Sequence, residues 1–105
     1  MHATIRRYDG VDQNRSAELT RKVNETFVPK LEKLPGFKGY FLLDEAGNGV
    51  LTSLSLFETP EQVMESTKLV STWIREEKLD TIIANEPKIT SGKIVAHSDR
   101  VPVAA

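Results

Sequence analysis

The chain has 105 residues, 39% of them hydrophobic and 28% charged, with 14 Lys plus Arg against 15 Asp plus Glu and a formal net charge of −1. That is the composition of one ordinary globular domain, and it supplies no field to draw nucleic acid or anionic lipid. The absence of cysteine excludes disulfides, thiolate catalysis and Cys-ligated metal, and leaves the redox compartment undetermined. No apolar run reaches membrane-spanning length and MHATIRRYDG lacks the apolar core of a signal peptide, so the cytoplasm is the expected setting, with neither nucleic acid nor membrane as a partner. No linker or repeat divides the sequence, which reads as a single domain over residues 1–105 with a C-terminal tail at about 99–105.

His2 to Tyr8 (HATIRRY), bounded by Asp9-Gly10, reads as a first strand. Apolar residues then recur at Leu19, Val23, Phe27, Leu31 and Leu34, predicting an amphipathic helix from about Ser16 to Leu34 that Pro35-Gly36 ends. A second strand follows over about Phe37 to Leu43. Gly47 and Gly49 permit the positive backbone angles of a hairpin loop, and Val50 to Phe57 forms the third strand. Thr59-Pro60-Glu61-Gln62 supplies a capping hydroxyl, a proline at the first helical position and a Gln three residues after the cap, so a second helix starts at Pro60. Val63, Val70, Trp73 and Ile74, with the small Ser66 and Thr67, form one face of it as far as about Lys78. Leu79 to Ala84 leaves room for a further short turn before Asn85-Glu86-Pro87, and Lys88 to His97 reads as the fourth strand.

The order βαββαβ predicts an α+β, ferredoxin-like fold: a four-stranded antiparallel sheet with both helices on one face and the fourth strand beside the first. In Phe37 to Phe57 (FKGYFLLDEAGNGVLTSLSLF) apolar residues occupy both alternation phases, so both sheet faces want cover. Two helices cover one face. The other is expected to meet a second copy of the chain, giving a homodimer through the sheet face.

Pro29 falls inside the first helix, where it removes a backbone hydrogen bond and crowds the carbonyl of Glu25. Two readings stand: a kink that lets the helix follow the twisted sheet, or a lift off the sheet that opens a cavity near Asn24 and Phe27. Trp73 is either core or, beside Ser66 and Thr67, the wall of a site for an aromatic ligand, with Ser53 and Ser55 approaching from the sheet. His2 and His97 sit on strands expected to pair, but no dense cluster of further metal ligands accompanies them. Arg6 and Arg7 are adjacent and point to opposite faces, so at most one enters a given pocket. The Glu61, Glu65, Glu76, Glu77 set with Lys68 and Lys78 reads as a solvated helix face. No phosphate loop, dinucleotide fingerprint, zinc motif or nucleophile elbow is present.

This element order, the stretch LPGFKGYFLLDEAGNGVLTSLSLFET, and the helix EQVMESTKLVSTWIRE with its Trp73 together resemble the antibiotic-biosynthesis-monooxygenase-type dimeric α/β barrels over nearly the whole chain. The resemblance implies a pocket between sheet and helices and nominates Trp73, Asn24, Tyr40 and Arg7 as its residues. It implies cofactor-independent oxygenation of an aromatic, quinol-like small molecule, with no cofactor required. The haem-degrading branch of that group carries an Asn on the first strand and a His ten residues after the Trp. Here position 83 is Ile and the first strand has Arg6-Arg7-Tyr8, so haem chemistry is not expected. The competing reading is a non-catalytic small-molecule-binding or stress-response protein of the same fold.

Overall fold

The computed structural model describes residues 1–45 and 48–98, so Gly47 of the hairpin and the tail at 99–105 lie outside the described residues. Four strands, β1 (His2–Tyr8), β2 (Phe37–Glu45), β3 (Val50–Phe57) and β4 (Lys88–Lys93), form one antiparallel sheet in the order β2-β3-β1-β4. The helices α1 (Ser16–Lys22), α2 (Val28–Glu32) and α3 (Pro60–Glu76) pack on one face. This is the ferredoxin-like arrangement expected from the sequence, with β4 antiparallel beside β1.

The first helical segment is built in pieces. A π-helical turn, Val23–Phe27, joins α1 to α2, and the Val28 N–H donates to the Val23 carbonyl five residues back. The sequence contains the reason. Apolar residues spaced four apart drift by roughly 40° per step around a regular α-helix, and Pro29 cannot donate to Glu25. A widened turn holds more residues than a regular one, so it absorbs the drift and the missing bond together. Leu19, Val23, Phe27 and Leu31 all reach the core as a result.

Helix α3 begins as the sequence indicates. The Gln62 N–H donates to Thr59 Oγ1 (3.3 Å), and Gln62 Oε1 accepts from the backbone N–H groups of Thr59 and Glu58 (3.1 Å each). The helix buries Val63, Ser66, Val70 and Trp73, and Lys78 takes a left-handed conformation (φ 55°) just past its end. A 3-10 turn, Leu79–Thr81, then tucks Leu79 and Ile82 into the core, and Ile83 bridges to Val11. Lys22–Glu77 (3.1 Å) and Lys30–Glu76 (3.8 Å) tie the first helical segment to the end of α3. Strand β4 is shorter than expected and stops at Lys93. The Ile94 N–H still donates to the Met1 carbonyl, just past the His2–Lys93 end of the ladder. His2 lies opposite Lys93, and His97 falls beyond the strand, so the ladder does not align the two histidines.

The sheet has two unlike faces. Thr4, Arg6 and Tyr8 of β1, Tyr40 and Leu42 of β2, and Leu51, Ser53 and Ser55 of β3 share the helix-covered face through their cross-strand register. The opposite face carries Ala3, Ile5, Phe41, Leu54 and Leu56, with Ile5 40% and Leu43 61% exposed. Both phases of the hairpin are therefore apolar in the fold, as in the sequence, but the second has no cover among the described residues.

Gly36 (φ +74°) links the end of the first helical segment to the α3 cap: a Cβ there would overlap the Gln62 side chain, and the Gly36 carbonyl accepts from the Glu58 N–H. Gly36→Ala is expected to lose about 1–2 kcal/mol from the left-handed backbone alone, and more from the displaced Gln62. Urea unfolding checks this, and an unchanged midpoint would mean the turn relaxes without disturbing the cap.

Candidate functional site

Strand alternation puts one of the two neighbouring arginines inside. Arg6 is 1% exposed beneath α3, in phase with Thr4 and Tyr8, while Arg7 lies on the open face and its Nε pairs with Asp9 at 3.3 Å. Arg7 is thus not in the space under the helices, and Arg6 takes that place. Arg6 Nη2 donates to Thr67 Oγ1 (2.7 Å) and Ser66 Oγ (3.2 Å). Both hydroxyls in turn donate to the Val63 carbonyl, at 3.2 and 2.6 Å respectively. Arg6 Nε is buried and has no hydrogen-bond partner among the described residues, and no carboxylate pairs with the guanidinium there. Ser55 Oγ is the other such orphan, on the same face of the neighbouring strand.

An aromatic wall faces the guanidinium. The Phe27 ring lies 4.7 Å from Trp73 and 5.6 Å from Tyr40, edge-on to the latter. The π-helical turn fixes Trp73: the indole N–H donates to Thr26 Oγ1 (2.7 Å), whose own hydroxyl donates to the Lys22 carbonyl (2.8 Å). Arg6, Tyr8, Tyr40, Ser53 and Trp73 all line one interior space of only about 20 Å³, room for about one oxygen-sized group. A much larger groove of about 540 Å³ runs outside it, between the first helical segment and β2, lined by Asn24, Val28, Phe37 and Tyr40 with Glu32 and Asp44. Val23, Tyr40 and Leu42 border both spaces. The cavity expected near Pro29 therefore exists beside Asn24, whose Nδ2 donates to the Thr20 carbonyl (3.1 Å), but Phe27 faces the interior instead.

Of the residues singled out from the sequence, Trp73, Tyr40, Ser66 and Thr67 converge on the guanidinium, Asn24 lines the outer groove, and Arg7 is elsewhere. Arg6 and Tyr8 were the omissions. The sequence leaves open which phase of β1 turns inward, and the pairing of Arg6 with Ser53 and Tyr8 with Leu51 decides it.

Burial sets the electrostatics. It raises the pKa of Tyr40 well above the ordinary phenol value, helped by Tyr8 and partly offset by Arg6 and a hydrogen bond with Ser53. Burial likewise raises Tyr8, against the opposing pull of Arg6, and lowers Arg6 from its usual value. At neutral pH the site presents a cation and two protonated phenols, and no His, Asp or Glu among the described residues lines the interior. Such an arrangement is chemically suited to a negatively charged group.

No family model matches the chain, and no curated protein does. Solved structures do. A candidate antibiotic biosynthesis monooxygenase from Bordetella bronchiseptica is 17% identical, with 90% of this chain and 97% of that one covered at a TM-score of 0.72. The ActVA-Orf6 monooxygenase of Streptomyces coelicolor, in complex with nanaomycin D, is 12% identical over 91% and 92% of the two chains at 0.67. A point mutant of MhuD, with two manganese protoporphyrin IX molecules per active site, is 16% identical over 93% and 98% at 0.72. This chain has the fold of the antibiotic-biosynthesis-monooxygenase-type proteins, and at these identities the likeness concerns the fold.

The interior does not fit a porphyrin. Its space is about 20 Å³, Ile83 lines it where the haem-degrading pattern has His, and the Trp73 N–H is already committed to Thr26. Haemin titrated with a reductant present is expected to keep its visible spectrum, without ring cleavage. Stoichiometric binding followed by bleaching would overturn this assessment.

Proposed function

We propose that the protein belongs with the antibiotic-biosynthesis-monooxygenase-type proteins and is a cofactor-independent monooxygenase of an electron-rich aromatic small molecule, a phenol or quinol. The observation that carries the reading is a buried guanidinium, without a carboxylate partner, in an aromatic-walled interior at the place where a hydrocarbon core would serve stability better. The fold shared with the nanaomycin D-bound monooxygenase adds to it.

The chemistry follows from the donors present. A substrate with an acidic CH₂ beside a phenolic or carbonyl group enters as its anion, its proton left in bulk solvent, and Arg6 with the Tyr8 and Tyr40 hydroxyls stabilises that anion. The carbanion supplies the electrons to dioxygen and forms a C–O bond; the resulting peroxide takes up one proton from solvent, and loss of the second C–H proton expels its outer oxygen as the O–O bond breaks. One oxygen remains as a carbonyl and the other departs as water, so R₂CH₂ + O₂ gives R₂C=O + H₂O. The protein's part is orientation, exclusion of bulk water and support of negative charge. Asn24 and the outer groove receive the body of the substrate in this scheme, and the reading assumes a soluble, cytoplasmic enzyme.

One observation favours a second reading, a non-catalytic small-molecule-binding or stress-response protein: the space beside Trp73 is about 20 Å³, too small for an aromatic ring unless Tyr40 moves. Trp73→Phe separates the two. For an oxygenase, the variant is expected to keep its fold and lose oxygen uptake with anthrones and quinols; for a core tryptophan, stability falls by roughly 1–3 kcal/mol and neither protein consumes oxygen. Thermal midpoint and oxygen uptake, measured on both proteins, decide between them.

We further propose a homodimer through the open sheet face, supported by the contiguous Ile5, Phe41, Leu43, Leu54 and Leu56, a kind of surface seldom left in water. Light scattering at low micromolar concentration is expected to give twice the chain mass, and Leu54→Glu the single mass. A monomeric wild type would remove the barrel.

A further inference from the structure

We propose that the groove between the first helical segment and β2 is a site for a linear dication, an α,ω-diammonium ligand of the polyamine kind, with one ammonium at Glu32, the other at Asp44 and an apolar chain between them. The inference goes beyond the reaction proposed above, since it uses neither oxygen nor Arg6.

Two regular spacings build the groove. On the helical side Thr20, Asn24, Val28 and Glu32 recur every four residues, one position beyond the core stripe of Leu19, Val23, Phe27 and Leu31. The π-helical turn that keeps the core stripe in line keeps this one in line as well. On the sheet side Tyr40, Leu42 and Asp44 share the helix-covered phase of β2, and the shift in register between Phe37 and Gly39 adds the Phe37 ring to them. The chain turns back at Pro35-Gly36, so the helical segment and β2 run in opposite directions. Glu32 therefore lies at the Phe37 end of the groove, and Asp44 at the Thr20 end. From Thr20 to Glu32 a helical backbone rises about 18 Å, which places one carboxylate at each end. A volume of about 540 Å³ over that length leaves a mean cross-section of about 30 Å², a slot that suits an extended chain.

Charge selects the ligand. Glu32 and Asp44 are the charged residues of the lining, and neither makes an ion pair among the described residues. The neighbouring cations are committed elsewhere: Lys22 pairs with Glu77, Lys30 with Glu76 and Lys38 with Glu58, while Arg21 and Lys33 do not line the groove. Between the two ends, Val23, Val28 and Leu42 offer surface to methylenes, and the Phe37 and Tyr40 rings accept either methylenes or an ammonium. Asn24 gives its Nδ2 to the Thr20 carbonyl and keeps its Oδ1 as an acceptor. Carboxylates at both ends of an apolar slot repel an anion and leave a monocation with one end unmatched. A chain with a positive charge at each end matches both. The slot opens on the helix side of the sheet, opposite the face proposed for the dimer.

The probes are 1,12-diaminododecane, its short analogue 1,4-diaminobutane, and 12-aminododecanoate, which keeps the length and reverses one charge. Amide NMR spectra report where each binds, and calorimetry reports how tightly. The long diamine is expected to move the amides of Asn24, Gly39 and Tyr40 and to bind wild type about tenfold more tightly than either of the others, roughly threefold for each matched end. Both carboxylates are exposed, so Glu32→Gln and Asp44→Asn leave the core untouched. Each variant should weaken the long diamine about threefold, and the double variant should bind it no better than 12-aminododecanoate. Added salt should weaken the wild type more than the double variant.

Equal binding of the long diamine and 12-aminododecanoate by the wild type would mean a slot without charge selection, and equal binding of the two diamines a site at one carboxylate. Either overturns the proposal. Shifts confined to other surfaces, affinity unchanged in the double variant, or no binding at all overturn it too. Oxygen uptake leaves each of these outcomes as it stands, so the groove and the oxygenase fail separately.

Discussion

The contact between the Arg6 guanidinium and the hydroxyls of Ser66 and Thr67 joins the middle of the sheet to the middle of α3. A charge at that depth would ordinarily sit opposite a carboxylate, because the cost of removing it from water is offset only by a partner with matched geometry. Two neutral hydroxyls anchor it without neutralising it. Small side chains on α3 let the helix come close enough for this contact, and the same closeness leaves little free volume beside Trp73.

The second organising element is the π-helical turn before Pro29. It corrects the angular drift of a helix whose apolar residues repeat every four positions, and it presents the Thr26 hydroxyl to the Trp73 indole. Wide turns of this kind are often found at functional sites because they reposition side chains that a regular helix would direct elsewhere. Here the turn has Phe27 on its inner side and Asn24 on its outer side. One irregularity thus contributes a wall to the interior and a wall to the groove, with Tyr40 standing between them.

The two faces of the sheet divide the demands on the chain. The covered face mixes Arg6, Ser53, Ser55, Thr4 and two tyrosines into what would otherwise be hydrocarbon, which weakens it as a source of stability. The open face keeps Ile5, Phe41, Leu54 and Leu56, a conventional apolar surface that no described residue covers. A domain of this size has little surplus stability. Association through the open face, as proposed, would supply apolar burial that the polar interior does not.

Much of this was legible in the residues alone. The capping box Thr59 to Gln62, the Pro35-Gly36 turn and the alternation in Val50 to Phe57 fixed those elements because they are local signals, each complete within a few residues. The βαββαβ order then left few topologies to choose among. Trp73 and Tyr40 were candidates through the family resemblance, and both line the interior. The choice between Arg6 and Arg7 was not, because β1 has apolar residues in one phase and polar ones in the other, and the polar phase is the buried one. That depends on which face β3 and β2 turn toward the helices, a property of the assembled sheet. The split between a one-oxygen interior and a ring-sized groove was likewise decided by tertiary packing. Pro29 announces a disturbance in the helix, but only the registry of α1, α2 and β2 sets where the resulting space opens and which side chains border it.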